Sequence, residues 1–191
     1  MSDMASVFGV VGGLPVIVET PVTPRSYVAW DTETHLITQG NLTPKLVCLQ
    51  FQVVDQGVRQ EPVVAGGDDA SKQRGALFIR QLLEQTDVAL VTHNGFFDYA
   101  VLLNYFGWPK DLMHAIAKAY QQGRLRDTLI RSTLHAIANG WLDYDPQIGG
   151  PAKFDLGSLA VKYTSQNIEG KHGPDVWRLR YSELDGIPAD Q

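Results

Sequence analysis

Tyr27-Val28-Ala29-Trp30-Asp31-Thr32-Glu33-Thr34 is an apolar, strand-like run that closes on two acids separated by one residue. Side chains alternate faces along a strand, so Asp31 and Glu33 point to one side and Thr32 to the other. Two carboxylates on one face raise each other's pKa and weaken the strand end unless a positive charge sits between them. Oxygen-only ligands suit a divalent ion such as Mg²⁺ or Mn²⁺. An acid pair at a strand end is also an ordinary way to enter a turn, so a second signal is needed.

That signal lies downstream, in Val91-Thr92-His93-Asn94-Gly95-Phe96-Phe97-Asp98-Tyr99-Ala100-Val101-Leu102. The run 88–91 reads as a short buried strand, Asn94 as the N-cap of the helix that follows, and Gly107 as its stop. Asn94 and Asp98 stand four apart and share a helix face, with Phe97 and Val101 on one flank and Ala100 and Leu103 on the other. A carboxyl set into an apolar face is costly unless it is paired or metal-bound. A plain cap followed by a solvated polar stripe is the alternative.

The two segments together resemble the first and second motifs of the DEDD 3′–5′ exonucleases, and most closely the proofreading domain of family A DNA polymerases and their phage-borne relatives. The likeness extends to 45–51 as the family's second strand, to Asp127-Thr128-Leu129-Ile130 as its Asp-Thr helix start, and to 154–160 as the helix before the third motif. It implies an α/β, ribonuclease H-like fold and phosphodiester hydrolysis with two divalent ions, Mg²⁺ or Mn²⁺. The implied metal ligands are Asp31, Glu33, Asp98 and a fourth acid from a Tyr-x-x-x-Asp helix whose tyrosine orients the attacking water. Tyr181-Ser182-Glu183-Leu184-Asp185 matches that spacing, yet Gly186-Ile187-Pro188 is a helix stop. Either Asp185 is the fourth ligand, or that ligand lies beyond Gln191 in polymerase sequence and the chain is a fragment or a diverged protein with a weakened site. By the same resemblance Thr34 and Asn94 contact the terminal nucleotide and Ile37 is an apolar wedge between the last bases. Thr32, Arg178 and Arg180 complete the expected substrate-binding set, and His93 is expected to be a packing or supporting residue.

The chain of 191 residues is one domain's worth, with an ordinary hydrophobic content of 44%. A net charge of −5 argues against coating duplex DNA by bulk electrostatics while leaving room for a site that grips a few nucleotides at an end. Cys48 is the one cysteine and sits in an apolar strand, which excludes an internal disulfide and fits the cytoplasm of a bacterial or phage-infected cell. Residues 1–24 are expected to be an arm or edge strand, with 15–20 as the strand. The apolar run 7–18 is too short and too broken by Gly and Pro to span a membrane, and no basic residue precedes it as in a signal peptide.

Residues 25–191 are expected to form the exonuclease domain, truncated before its last helix if the fourth acid lies further on. Strands at about 26–32, 45–54 and 58–65 predict an antiparallel meander; a helix over 76–83 and a strand at 88–92 that re-enters parallel to the first make the sheet mixed, flanked by helices. Active sites of such sheets form at the carboxyl ends of parallel strands, so Asp31, Glu33 and Asn94 should meet at one edge. Helices are expected over 111–120, 128–138 after an Asp127 cap and 156–163 after an Asp155 cap; Asp127 could instead be a further acid near the metals. The run 140–153 reads as a surface loop. Basic residues Lys162, Lys171, His172, Arg178 and Arg180 alternate with Tyr163, Trp177 and Tyr181, a pattern that suits a single strand with stacked bases or a solvated loop anchored by Trp177.

The leading expectation is a proofreading-type exonuclease on single-stranded DNA 3′ ends, with a DNA polymerase domain as partner and no membrane. An RNA-trimming exonuclease of the same superfamily and a catalytically silent DNA-end or polymerase-associated binding module are the alternatives.

Overall fold

The computed structural model describes residues 7–11, 14–18, 23–168 and 180–187. Two short strands, β1 (Val7–Val11) and β2 (Leu14–Val18), pair antiparallel with each other as a separate two-stranded sheet. The expected edge strand is therefore half of a hairpin rather than an addition to the main sheet. The main sheet is six-stranded. It runs in the order β5 (Val58–Arg59), β4 (Leu46–Asp55), β3 (Ser26–Thr34), β7 (Val88–Thr92), β8 (Leu125–Asp127), with β6 (Val63–Gly66) also paired to β4.

β3 is antiparallel to β4 and parallel to β7, and β7 is parallel to β8, which makes the sheet mixed. The expected third strand is divided into β5 and β6 around Pro62, which has no N–H to give a ladder. Along β3 the side chains of Val28, Trp30 and Thr32 are buried, whereas Ala29 and Asp31 on the opposite face are exposed. The buried face is covered by α1 (Asp69–Glu84) and α2 (Gly95–Tyr105), and α3 (Lys110–Gln121) packs against both helices. Its core joins Val28, Trp30 and Leu49 to Ala76, Ile79 and Leu83 of α1 and to Tyr99, Val101 and Leu102 of α2. α1 starts earlier than its apolar spacing predicts because Asp68 caps it, accepting a hydrogen bond from the Ser71 N–H at 2.8 Å.

α4 (Thr128–Asn139) and α5 (Leu156–Thr164) fall where the Asp127 and Asp155 caps place them. Asn94 differs from expectation. It adopts a left-handed conformation, φ 65°, ψ 45°, and its side chain makes no cap bond to α2. Asp127 takes over that duty: its carboxylate accepts from the N–H groups of Asn94 (3.2 Å) and Gly95 (2.7 Å) as well as from Leu129 (2.8 Å) and Ile130 (3.2 Å) at the start of α4. One acid thus satisfies the exposed donors of two helices and ties them together. No described helix is long and apolar enough to cross a membrane.

Candidate active site

Asp31 and Glu33 stand at the carboxyl end of β3, and Asp98 of α2 comes up to Asp31 there. The ladder sets Asp31 opposite Gln50 and Glu33 opposite Cys48, and a register shift between Glu33 and Thr34 bends the strand just past the pair. Beneath them the edge of Trp30 meets Tyr99 of α2, ring centroids 5.2 Å apart, which fixes that helix against the strand. One residue before Tyr99, Asp98 is 1% exposed. Its Oδ1 accepts hydrogen bonds from the Thr32 N–H at 2.9 Å and the Thr32 hydroxyl at 2.7 Å.

Thr32 therefore does not merely face away from the acids. It reaches from the core face to hold the one carboxyl that arrives from α2. Alternation along the strand places Thr32 on that face; the partner it finds there could not be read from sequence spacing.

Burial pushes the Asp98 carboxyl up to about 8, and the Asp31 carboxylate, within hydrogen-bond reach, pushes in the same direction against the lowering effect of the Thr32 bonds. At neutral pH the Asp98 carboxyl therefore keeps its proton beside Asp31. Glu33, on the Asp31 side of the strand, is 3.5 Å from the Gln50 amide and lies against the hydroxyl of Tyr181. Burial, and after it the Glu33 carboxylate, raises the Tyr181 phenol above its ordinary range, so it stays protonated. Cys48 is buried beside Glu33, and burial pushes its thiol up to about 11, consistent with the inert role expected of it. Among the described residues no three metal-ligating side chains already form a cage.

Tyr181 and Asp185 are not on a continuing α-helix. Tyr181–Leu184 is a single 3-10 turn, ended at Gly186 with φ 93°. With the turn cut short, the two residues part: Tyr181 goes to Glu33, while Asp185 is held by Lys72 at 2.7 Å, His35 at 3.1 Å and Lys45. The two ammonium groups and the His35 hydrogen bond hold the Asp185 carboxyl well below the usual carboxylate range, in spite of its partial burial.

Among the expected substrate contacts, Ile37 is 58% exposed, Asn94 is exposed, and Thr34 donates its hydroxyl to the His35 carbonyl at 2.8 Å. Arg180 forks onto Glu183 at 2.8 and 2.7 Å. Arg178, with Lys171, His172 and Trp177, lies outside the described residues. Lys162 is taken up inside the fold, paired with the buried Asp145 and placed 5.3 Å over the Trp141 ring, so it does not serve the basic surface that its sequence setting suggested. His93 packs its Nδ1 at 2.9 Å from the Thr128 hydroxyl, a supporting role.

A family model described as 3′–5′ exonuclease matches residues 18–183. The chain belongs to the 3′–5′ exonuclease family. Both acids of β3 and Asp98 fall inside the matched span. Among solved structures, the Nibbler EXO domain of Aedes aegypti superposes with a TM-score of 0.50 at 12% identity, covering 83% of this exonuclease-family chain and 72% of its own. Exonuclease I of E. coli in complex with a dT13 oligonucleotide gives 0.48 at 15% identity, covering 84% and 39%. Apo exonuclease I gives 0.47 at 17% identity, covering 85% and 42%. The chain thus spans about two fifths of the length of the exonuclease I structures it matches. At these identities the likeness is one of fold. Among curated protein sequences none matches.

Proposed function

We propose that this chain is a two-metal-ion 3′–5′ exonuclease that removes nucleotides from single-stranded DNA 3′ ends, as a proofreading domain does. The observation that carries the proposal is the contact between Asp31 and the buried Asp98. A buried carboxyl pressed against a second, exposed one is a poor structural choice and a good divalent-ion site, because an ion would offset both the desolvation and the repulsion. The donor chemistry fits: oxygen ligands from Asp31, Glu33 and Asp98 suit Mg²⁺ or Mn²⁺. Bound there, the ions supply a water of lowered pKa and neutralise charge on the leaving 3′ oxygen.

The chain's own groups do the positioning. Thr32 fixes Asp98 with two bonds, so the carboxyl would present one orientation to a metal. The Tyr181 phenol, protonated throughout the neutral range, can donate to Glu33 and accept from the attacking water, which orients it. A single-stranded end suits the surroundings: Phe96, 86% exposed in the first turn of α2, offers a ring for base stacking beside Asn94, and Ile37 offers an apolar wedge. A proofreading setting, with a DNA polymerase domain as partner, rests on the resemblance of the Asp31–Thr34 and Asn94–Asp98 segments to family A motifs.

A second reading, the silent end-binding module, draws on one observation: Asp185 is engaged by cations rather than standing open as a fourth acid. Shortening of a 5′-labelled oligonucleotide, in DNA and RNA forms, with Mg²⁺ or Mn²⁺ and with EDTA, separates the readings. The proposal expects metal-dependent loss of DNA 3′ nucleotides that Asp31→Ala abolishes. Faster shortening of RNA would move the substrate class, binding without shortening would favour the silent module, and full activity in the Asp31 variant would end the metal assignment.

A further inference from the structure

Asp185 has the sequence position of a metal ligand and the surroundings of an anchor. Its Oδ1 takes the Lys72 ammonium at 2.7 Å, and its Oδ2 takes both Lys45 and His35 Nε2, the latter at 3.1 Å. Both oxygens therefore already carry cationic partners, and a divalent ion approaching either would meet two ammonium groups at close range. The three partners come from separate parts of the fold: His35 just past β3, Lys45 just before β4, and Lys72 in the first turns of α1.

Lys72 is 2% exposed, and its other acidic partner, Asp69 at 2.9 Å, is almost fully in solvent. Asp185, 12% exposed, is the carboxylate that compensates the buried ammonium. Removing one member of such a pair leaves the other buried and uncompensated, unlike breaking a surface pair. The next residue extends the attachment, with the Gly186 N–H donating to the Gly67 carbonyl at 2.6 Å. Four residues before Asp185, the same segment packs its 3-10 turn on β3 and β4 and sets Tyr181 against Glu33.

We infer that Asp185 is a positioning residue, whose ion pairs with Lys72 and Lys45 and hydrogen bond with His35 dock the 180–187 segment on the sheet end so that the Tyr181 hydroxyl is held at Glu33. The inference rests on the proposed nuclease site for its catalytic consequence, though not for the docking itself. Asp185 acts through Tyr181, and Lys72 acts through Asp185.

The test has one arm that needs no activity. Hydrogen exchange of the full chain, followed by mass spectrometry on the peptide covering 180–187, should show protection that Asp185→Asn and Lys72→Met each reduce at least fivefold and that Asp185→Glu largely restores. The second arm is kinetic. Asp185→Asn and Lys72→Met should each lower kcat about tenfold with KM and the Mg²⁺ half-saturation unchanged, the double variant should fall no further, and in a Tyr181→Phe background Asp185→Asn should have no added effect. Equal protection in all variants would overturn the docking. A raised Mg²⁺ half-saturation in Asp185→Asn, with Lys72→Met at full activity, would make Asp185 a metal ligand instead. If the parent chain cleaves nothing, the nuclease reading fails while the exchange arm still decides the docking.

Discussion

Burying the Asp98 carboxyl beside Asp31 penalises its charged form in the folded chain and leaves the unfolded chain unaffected. The sign of the pH dependence follows. With a folded pKa of about 8 against an ordinary 3.8, the native state keeps a proton that the unfolded state has released across that interval, so stability falls as pH rises through it. Below the ordinary value both states are protonated and the penalty vanishes. Asp98→Asn keeps an oxygen for both Thr32 bonds and places an amide donor toward Asp31. In metal-free protein it should raise the thermal midpoint at pH 8 by roughly 3 °C or more, the shift that about 1 kcal/mol produces in a chain of this size, with the gain shrinking toward pH 4. Calorimetry showing a lower midpoint at pH 8 would contradict this account of the carboxyl. Thr32→Val keeps the shape and removes the 2.7 Å hydroxyl bond, and should cost about 1 kcal/mol in urea unfolding together with a loss of nuclease rate. Asp31, Glu33 and Asp98 are legible in the sequence as acids in apolar runs at strand and helix spacing. The burial of Asp98 and its clamp by Thr32 are not, since they depend on how close α2 comes to β3.

At the scale of elements, the caps carry most of what sequence could foresee. Asp127 and Asp155 start α4 and α5, and Gly107 at φ 72° follows the end of α2. What spacing misses is duty shared between elements. Asp127 serves α2 as well as α4, so Asp127→Ala should cost about 2 kcal/mol, twice an ordinary cap loss, in a denaturant titration. Gly95, beside it, has no room for a side chain, because a Cβ there would lie 2.0 Å from the Thr92 hydroxyl. Arg124 is a larger omission. It is 1% exposed, and its guanidinium donates to the carbonyls of Leu82, Leu83 and Val88 and to Gln122, closing the carboxyl end of α1 where that helix has no basic residue of its own. Arg124→Met removes a charged donor from three carbonyls, of which Leu82 keeps the Gln85 N–H at 3.2 Å, and should destabilise the chain by about 3 kcal/mol, whereas a loss under about 1 kcal/mol would mean that water replaces it. No local pattern marks Arg124, since the three carbonyls it meets are distant in sequence and gathered only by the fold.

Across the whole molecule two acids respond to pH in opposite senses, and their balance gives a readout of metal binding that does not depend on cleavage. Asp185, held low by Lys45, Lys72 and His35 against the opposing effect of its partial burial, contributes stability that is present above the ordinary carboxylate pKa and lost as pH falls through its folded value. Asp98 does the reverse, its penalty growing as pH rises toward 8. Metal-free protein should therefore be most stable in mildly acid solution and should weaken on the alkaline side. A divalent ion held by Asp31 and Asp98 would require the Asp98 carboxyl to lose its proton, so its affinity would rise with pH until that proton is gone. The thermal stabilisation given by a fixed excess of Mn²⁺ should consequently grow from pH 6 to pH 8 and level off above. It should disappear in Asp31→Ala and shrink in Asp98→Asn, and persist in Lys72→Met, which loosens the 180–187 segment without touching the pair. A Mn²⁺ shift of equal size at pH 6 and pH 8, or one that survives loss of Asp31, would place the ion elsewhere on the chain.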